Sequence, residues 1–176
     1  GGTDHLPVGV KTEYIYTERL FLVAGKGMIT EDMLVSPGGQ LARDAANILE
    51  ELPEVDLRKL RDFPFIIMKR GQYIRRKVDD IFRRFDFLPK EIMEVSSCIS
   101  ATQLAASGLG VTIVPERAIV PFQNPNFSVY NYGPTPDCWE VNAVYKESIY
   151  LGEAERGLIE TMQQVFEAES SDRNSR

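Results

Sequence analysis

A chain of 176 residues, 43% of them apolar, is long enough for one domain or two small lobes with a real core. A net charge of −6 opposes a grip on DNA or an anionic membrane by this stretch alone. No apolar run reaches the roughly 18 residues of a membrane span, and the opening GGTDHLPVGV has neither the basic start nor the apolar stretch of a signal peptide.

In chain order, ERLFLVAG (18–25) predicts a strand ending at Gly25, and SPGGQ (36–40) a turn. Leu41, Ala45, Ile48, Leu49 and Leu52 then share one helical face, and Pro53 stops that helix. VDLRKLRDFP (55–64) reads as a short helical turn and a break, and FPFIIMK (63–69) as a strand rich in β-formers. Gly71 opens a helix with Ile74, Val78, Ile81, Phe82 and Phe85 inside. Arg75, Arg76, Lys77, Arg83 and Arg84 lie on its other face, against Asp79 and Asp80. EIMEV (91–95) is the next strand, and Ser96 or Ser97 caps a helix running to about Ala106.

Gly108-Leu109-Gly110 superficially suggests a nucleotide loop. Such a loop runs from strand to glycines to helix, so that phosphate meets a helix N-terminus. Here the order is helix, glycines, then the strand VTIV, and a third glycine is missing. Gly108 therefore reads as the left-handed residue past a helix end, and Gly110 as a close backbone turn into the strand. VTIV, almost wholly apolar, predicts a strand covered on both faces, ending at Pro115. FSVYNY (127–132) and WEVNAVYK (139–146) read as two strands flanking GPTPDC. A helix follows from Gly152 to about Glu169 with Leu158, Ile159, Met162, Val165 and Phe166 on one face, and residues 171–176 form a disordered tail.

Strands alternating with helices predict α/β lobes. Residues 17–120 close on themselves as one lobe. Residues 1–16 and 121–170 supply crossover and the remainder of another, too little sheet to stand alone.

Ligands of open α/β sheets bind beyond the carboxyl ends of strands. Two such exits are visible, MKRGQY after the strand at 63–69 and EVSSCIS after the strand at 91–95, and each opens a helix whose free N–H groups favour an anion. Lys69 and Arg70 add charge; Ser96, Ser97, Gln72 and Tyr73 add directional hydrogen bonds. The alternative is that the serine only caps its helix and the cations are solvated. Cys98, in the first turn of a helix, is placed either for thiolate chemistry or as a buried structural thiol. Cys98 and Cys138 are too few for a disulfide scaffold and fit a reducing cytoplasm. With one histidine, His5, and no Walker loop, zinc-ligand spacing or triad, the chain predicts no catalytic residues, no metal and no cofactor. The paired carboxylates Asp79-Asp80 and Glu50-Glu51 point apart on helices.

Residues 56–119 resemble the effector-binding domain of LysR-type transcriptional regulators. The resemblance rests on an ordered series: Leu57 and Leu60, Pro64-Phe65-Ile66, Gly71, Arg75, Asp79, Phe82, Pro89, Glu94, Ser97, Gly108-Leu109-Gly110-Val111 and Pro115. TERLFLVAGKG (17–27) resembles the strand entering the second lobe, and the last helix resembles the family's closing helix, so the likeness covers most of 17–168. It implies a periplasmic-binding-protein-like (type 2) two-lobe, Rossmann-like fold joined by two crossovers. Residues 17–120 would be the second lobe, and the opening of the first would be missing. It also implies a small-molecule effector in the cleft, a cytoplasmic homodimer or homotetramer without membrane contact, no enzymatic role, and DNA binding only through an N-terminal winged helix-turn-helix outside this chain. Residues 28–54 are a longer excursion than the family has there. Carried over by position, the ligand-binding residues are Ala24, Gly25, Gly71, Gln72, Ser96 and Ser97, joined by Lys69 and Arg70 from the strand exits. The alternative is an extracytoplasmic solute-binding protein on the same lobe plan.

Overall fold

The computed structural model describes residues 7–35, 52–122, 125–147 and 151–174. The expected turn at 36–40, nearly all of the helix expected to follow it, and His5 lie outside the described residues.

Two compact units divide the chain: Gly1–Arg19 with Cys138–Arg176, and Leu20–Asp137. The larger unit holds a mixed sheet. Strand β1 (Val10–Gly25) contributes its last six residues to it, and β2 (Phe65–Met68), β3 (Ile92–Val95), β4 (Val111–Pro115) and β5 (Phe127–Tyr130) complete the order β3-β2-β4-β1-β5. β2 runs parallel to β3 and β4, so each connection must cross over, and helices α1 (Tyr73–Arg84) and α2 (Cys98–Ala106) do so. β1 is antiparallel to both β4 and β5. β2 and β4 are buried throughout and apolar but for Thr112, whose hydroxyl donates to the Ile66 carbonyl at 2.7 Å, as a sheet covered on both faces requires.

The 3.6-residue spacing of α1 is realised: Ile74, Val78, Ile81 and Phe82 are buried. Phe82 meets Phe65 at 5.5 Å edge-on, and Phe87 closes the cluster at 5.2 and 5.3 Å from the two. Burial of such a cluster stabilises by about 2 kcal/mol per large side chain, which anchors α1 on β2. The 55–64 segment forms a 3-10 turn at Leu57–Leu60, with the Asp56 side chain accepting from Arg58 N. Gly108 adopts φ +82 after α2, the conformation expected of a residue past a helix end. A Cβ on Gly110 would stand 2.4 Å from the Pro64 carbonyl oxygen, so the close approach is real.

FSVYNY is expected from its position to join the remainder of the chain. Instead β5 pairs with the second half of β1, Leu22 opposite Tyr130 and Gly25 opposite Phe127, and the compact unit extends to Asp137 rather than about 120. The alternation of the segment marks it as a strand, but alternation says nothing about which strand it joins.

In the smaller unit, β6 (Cys138–Lys146) pairs antiparallel with Val10–Arg19 of β1, with an irregularity between Tyr14 and Tyr16. Helix α3 (Glu153–Asn174) is anchored by Phe166 stacked 3.9 Å from Tyr16, Gln163 Nε2 donating to the Tyr14 carbonyl, and Arg156 paired with Glu13. α3 continues into the segment expected to be a disordered tail. Among the described residues no helix is long and apolar enough to cross a membrane.

Candidate functional site

The carboxyl end of the parallel strands places two loops side by side. Lys69 N donates to the Val95 carbonyl at 2.9 Å, extending the β2–β3 ladder past the last residue of β2. Lys69 and Arg70 follow, exposed, and Gly71 turns the chain at φ +96, a conformation that an L side chain resists. Gln72 then stands at the N-cap of α1 with extended backbone, but its side chain does not cap that helix. Its Nε2 instead donates to the Ser96 carbonyl at 3.1 Å, fastening the β2 exit to the β3 exit.

At the second exit, Ser97 is the residue that caps. Its hydroxyl accepts from Ser100 N at 3.4 Å, a long bond. Ser96 and Ser97 are exposed, and Cys98 opens α2 half-buried and outside any disulfide. Neither α1 nor α2 has an acidic residue in its first turn, so no carboxylate there opposes the positive ends of their dipoles. Two unopposed N-termini with Lys69 and Arg70 between strand and helix form a surface suited to a small anion. Tyr73 begins α1, and the Arg76 guanidinium lies 5.5 Å from its ring centre.

The structure does not bring Ala24 and Gly25 to this place. Ala24 is level with Val111, and Val111 with Phe65, the first residue of β2. Lys69 follows the last. The intervening strand puts roughly 13 Å between the two levels. Because β1 runs against β2, β3 and β4, its carboxyl end faces the opposite edge. There a Cβ on Gly25 would meet the Ala105 carbonyl oxygen at 3.0 Å, Met28 Sδ at 3.2 Å and Gly108 Cα at 3.4 Å. Gly25 is packed against the end of α2, not against the strand exits.

Arg75, expected on the outer face of α1, belongs beneath the exits instead. It is 5% exposed. Its Nη1 donates to the carbonyl of Met68, the last residue of β2, at 2.9 Å, and its Nε to Asp79 at 3.0 Å; Glu94 of β3 lies 3.6 Å from Nη1. The signal is present in the sequence: Arg75 precedes Val78 by three and Phe82 by seven, on the flank of the apolar stripe, with Asp79 four residues on. Among the described residues no cluster of His, Cys, Asp and Glu could hold a metal ion.

Similarity to known proteins bears on the family and the fold. The family model for the LysR substrate binding domain matches residues 2–167. The HTH-type transcriptional regulator YcgK of Bacillus subtilis (strain 168), described as uncharacterized, is 38% identical over 63 residues, 36% of this chain and 19% of YcgK. YybE of the same organism, described likewise, is 29% identical over 62 residues, 35% of this chain and 21% of YybE. These matches span about a fifth of the length of either relative. Among solved structures, the effector binding domain of a BenM variant superimposes with a TM-score of 0.67 at 18% identity, over 95% of this chain and 69% of that one. The regulatory domain of Synechocystis PCC6803 CcmR in complex with 2-PG gives 0.67 at 13% identity, over 92% and 70%. The effector binding domain of QuiR in complex with shikimate gives 0.64 at 13%, over 90% and 65%. At such identities the likeness is one of fold.

Proposed function

We propose, from the premise that the chain belongs to the LysR substrate binding domain family, that it is the effector-sensing part of a LysR-type transcriptional regulator and takes a small anion at Lys69, Arg70, Gly71, Gln72, Ser96 and Ser97. The observation that carries the site is the Gln72–Ser96 bond, which joins two strand exits whose helices both begin without an acidic residue. Ala24 and Gly25 are left out because the strand register turns them away. BenM with benzoate and QuiR with shikimate are solved complexes on this fold, and both ligands are carboxylates. DNA contact belongs to a helix-turn-helix part outside this chain, in keeping with the HTH-type descriptions of YcgK and YybE, and those descriptions favour a cytoplasmic regulator over a solute-binding protein. The working form is a homodimer or homotetramer, and no catalytic step is assigned.

The test is calorimetry and thermal melting of the full-length regulator with benzoate, shikimate, inorganic phosphate and neutral analogues. An anion that raises the melting temperature of wild type and loses its effect in Lys69→Ala/Arg70→Ala supports the site. Equal stabilisation of that double variant, or stabilisation by neutral compounds only, overturns it.

A further inference from the structure

We propose that Arg75 is a positioning residue for the anion site, holding the β2 exit loop, Lys69–Gln72, in the shape that presents Gln72 to Ser96. The proposal rests on the site assigned above. The loop itself is held by Lys69 N on the Val95 carbonyl, the Gln72 N–H on the Lys69 carbonyl at 3.4 Å, Gln72 Nε2 on the Ser96 carbonyl, and Gly71 in a left-handed conformation. Arg75 supplies a fixed point from below. Its guanidinium grips the Met68 carbonyl immediately before the loop, while its backbone N–H, in the first turn of α1, bonds the carbonyl of Gln72, the last residue of the loop, at 3.1 Å. One residue thus ties both ends of the loop to α1.

Packing does not demand an arginine here. The core face of α1 is completed by Ile74, Val78, Ile81 and Phe82. A buried ion pair seldom stabilises more than apolar residues of the same volume. What a guanidinium adds is direction: a planar fork meets a backbone carbonyl and carboxylates at fixed angles. Its charge has a second consequence. Glu94 adjoins Val95, whose carbonyl holds Lys69, and Arg75 sets a cation against both Glu94 and Asp79. That cation partly offsets the two carboxylates on the elements that flank the loop.

Amide hydrogen exchange on the 176-residue chain reads the loop without any ligand. In Arg75→Met, exchange at Lys69 and Gln72 rises about tenfold or more, the effect of removing a charge-assisted bond. Exchange at Val111–Val114 of β4 stays as in wild type. Unchanged exchange at Lys69 and Gln72, or an equal rise in β4, overturns the proposal, the second because it marks a merely structural role. Should Arg75→Met fail to fold, Arg75→Lys decides: it keeps the charge but loses the fork, and the same selective rise is expected, smaller in size. Titration with benzoate, shikimate and phosphate separates the two readings. If wild type binds none of them, the anion site fails while the exchange pattern still decides the role of Arg75; if wild type binds one, Arg75→Met weakens it about tenfold.

Discussion

Arg84 at the end of α1 grips Asp137 through two N–H···O bonds of 2.8 and 2.6 Å, across 53 positions of sequence. Tyr132 OH donates to the same carboxylate at 2.8 Å, and the Asp137 carbonyl accepts from Leu20 N at 2.8 Å. Asp137 and Leu20 are the two ends of the larger unit, so this cluster closes it where the chain arrives and leaves.

The cluster has a pH signature. Burial pushes the Asp137 carboxyl up, but the bonds from Arg84 and Tyr132 together with the nearby positive charge outweigh it and hold the group below its ordinary 3.8. A carboxyl depressed in the folded state stabilises above its unfolded value and loses that contribution as pH falls through the folded one. Asp137→Asn should therefore destabilise by about 1 kcal/mol at neutral pH, a modest figure because Arg84 is half exposed. The gap between wild type and variant should shrink below pH 3.8. Urea melts between about pH 3 and 7 would show it; a pH-independent gap would place the effect in shape alone.

Gly108 and Gly110 are separated by one residue and required for different reasons. Gly108 has φ +82 with open space where a Cβ would go, so its demand is conformational. Gly108→Val should cost more than about 1 kcal/mol, and Gly108→Asn clearly less, since Asn tolerates the left-handed region. Gly110 has no such angle, but a Cβ there would strike the Pro64 backbone, whose carbonyl accepts from Val111 N at 2.9 Å. Even Gly110→Ala should cost roughly 1–3 kcal/mol, because backbone must move. Thermal melts that rank Asn and Val alike at 108, or find Gly110→Ala neutral, would contradict this division.

Much of the fold is legible in the sequence because it depends on local pattern. The i, i+4, i+7 spacing of Ile74, Val78 and Ile81 marks a helix face, the apolar run Val111–Val114 marks a doubly covered strand, and helix-before-glycine at Gly108 rules out a phosphate loop. The features that differ depend on long-range direction. Nothing in LFLVAG says that the strand runs against β4, so carrying site positions over from the family resemblance groups Ala24 and Gly25 with exits that lie at the other end of the strands. Nothing in FSVYNY says that it pairs with Leu22–Gly25. For Arg75 the flank position on the apolar stripe is legible, but the acceptors that let the charge be buried, a carbonyl at the end of β2 and a carboxylate on β3, are brought to it only by the fold.

In FSVYNY, Phe127, Val129, Tyr130 and Tyr132 are all buried, so this segment presents no apolar face to a partner. The exposed apolar row is on α3, where Leu158 is 62% and Val165 48% exposed beside Ile159 at 8%. Leu158→Lys should leave monomer stability within about 0.5 kcal/mol, whereas Ile159→Ala should cost roughly 2–4 kcal/mol. Sedimentation at tens of micromolar is expected to show self-association that Leu158→Lys with Val165→Lys reduces. An unchanged distribution would move the contact away from α3.

Ser97 offers the sharpest test of the anion site, because capping and ligand binding can be separated there. Its hydroxyl accepts from Ser100 N, so Ser97→Ala should lower the stability of ligand-free protein by about 1 kcal/mol whether or not an anion binds. That substitution alone confounds the two roles. Ser97→Asp does not. Aspartate caps as well as serine and favours a helix N-terminus, so ligand-free stability should be kept or slightly raised. The added carboxylate, however, opposes any anion resting on the first turn of α2 and competes for Lys69 and Arg70. Anion affinity should therefore fall about tenfold or more, the scale of one like charge in a partly exposed site. Calorimetry with an anion that binds wild type measures the difference directly. If Ser97→Asp binds it as tightly as wild type, the negative group does not sit at α2, and Lys69, Arg70 and Gln72 at the start of α1 would have to hold it alone.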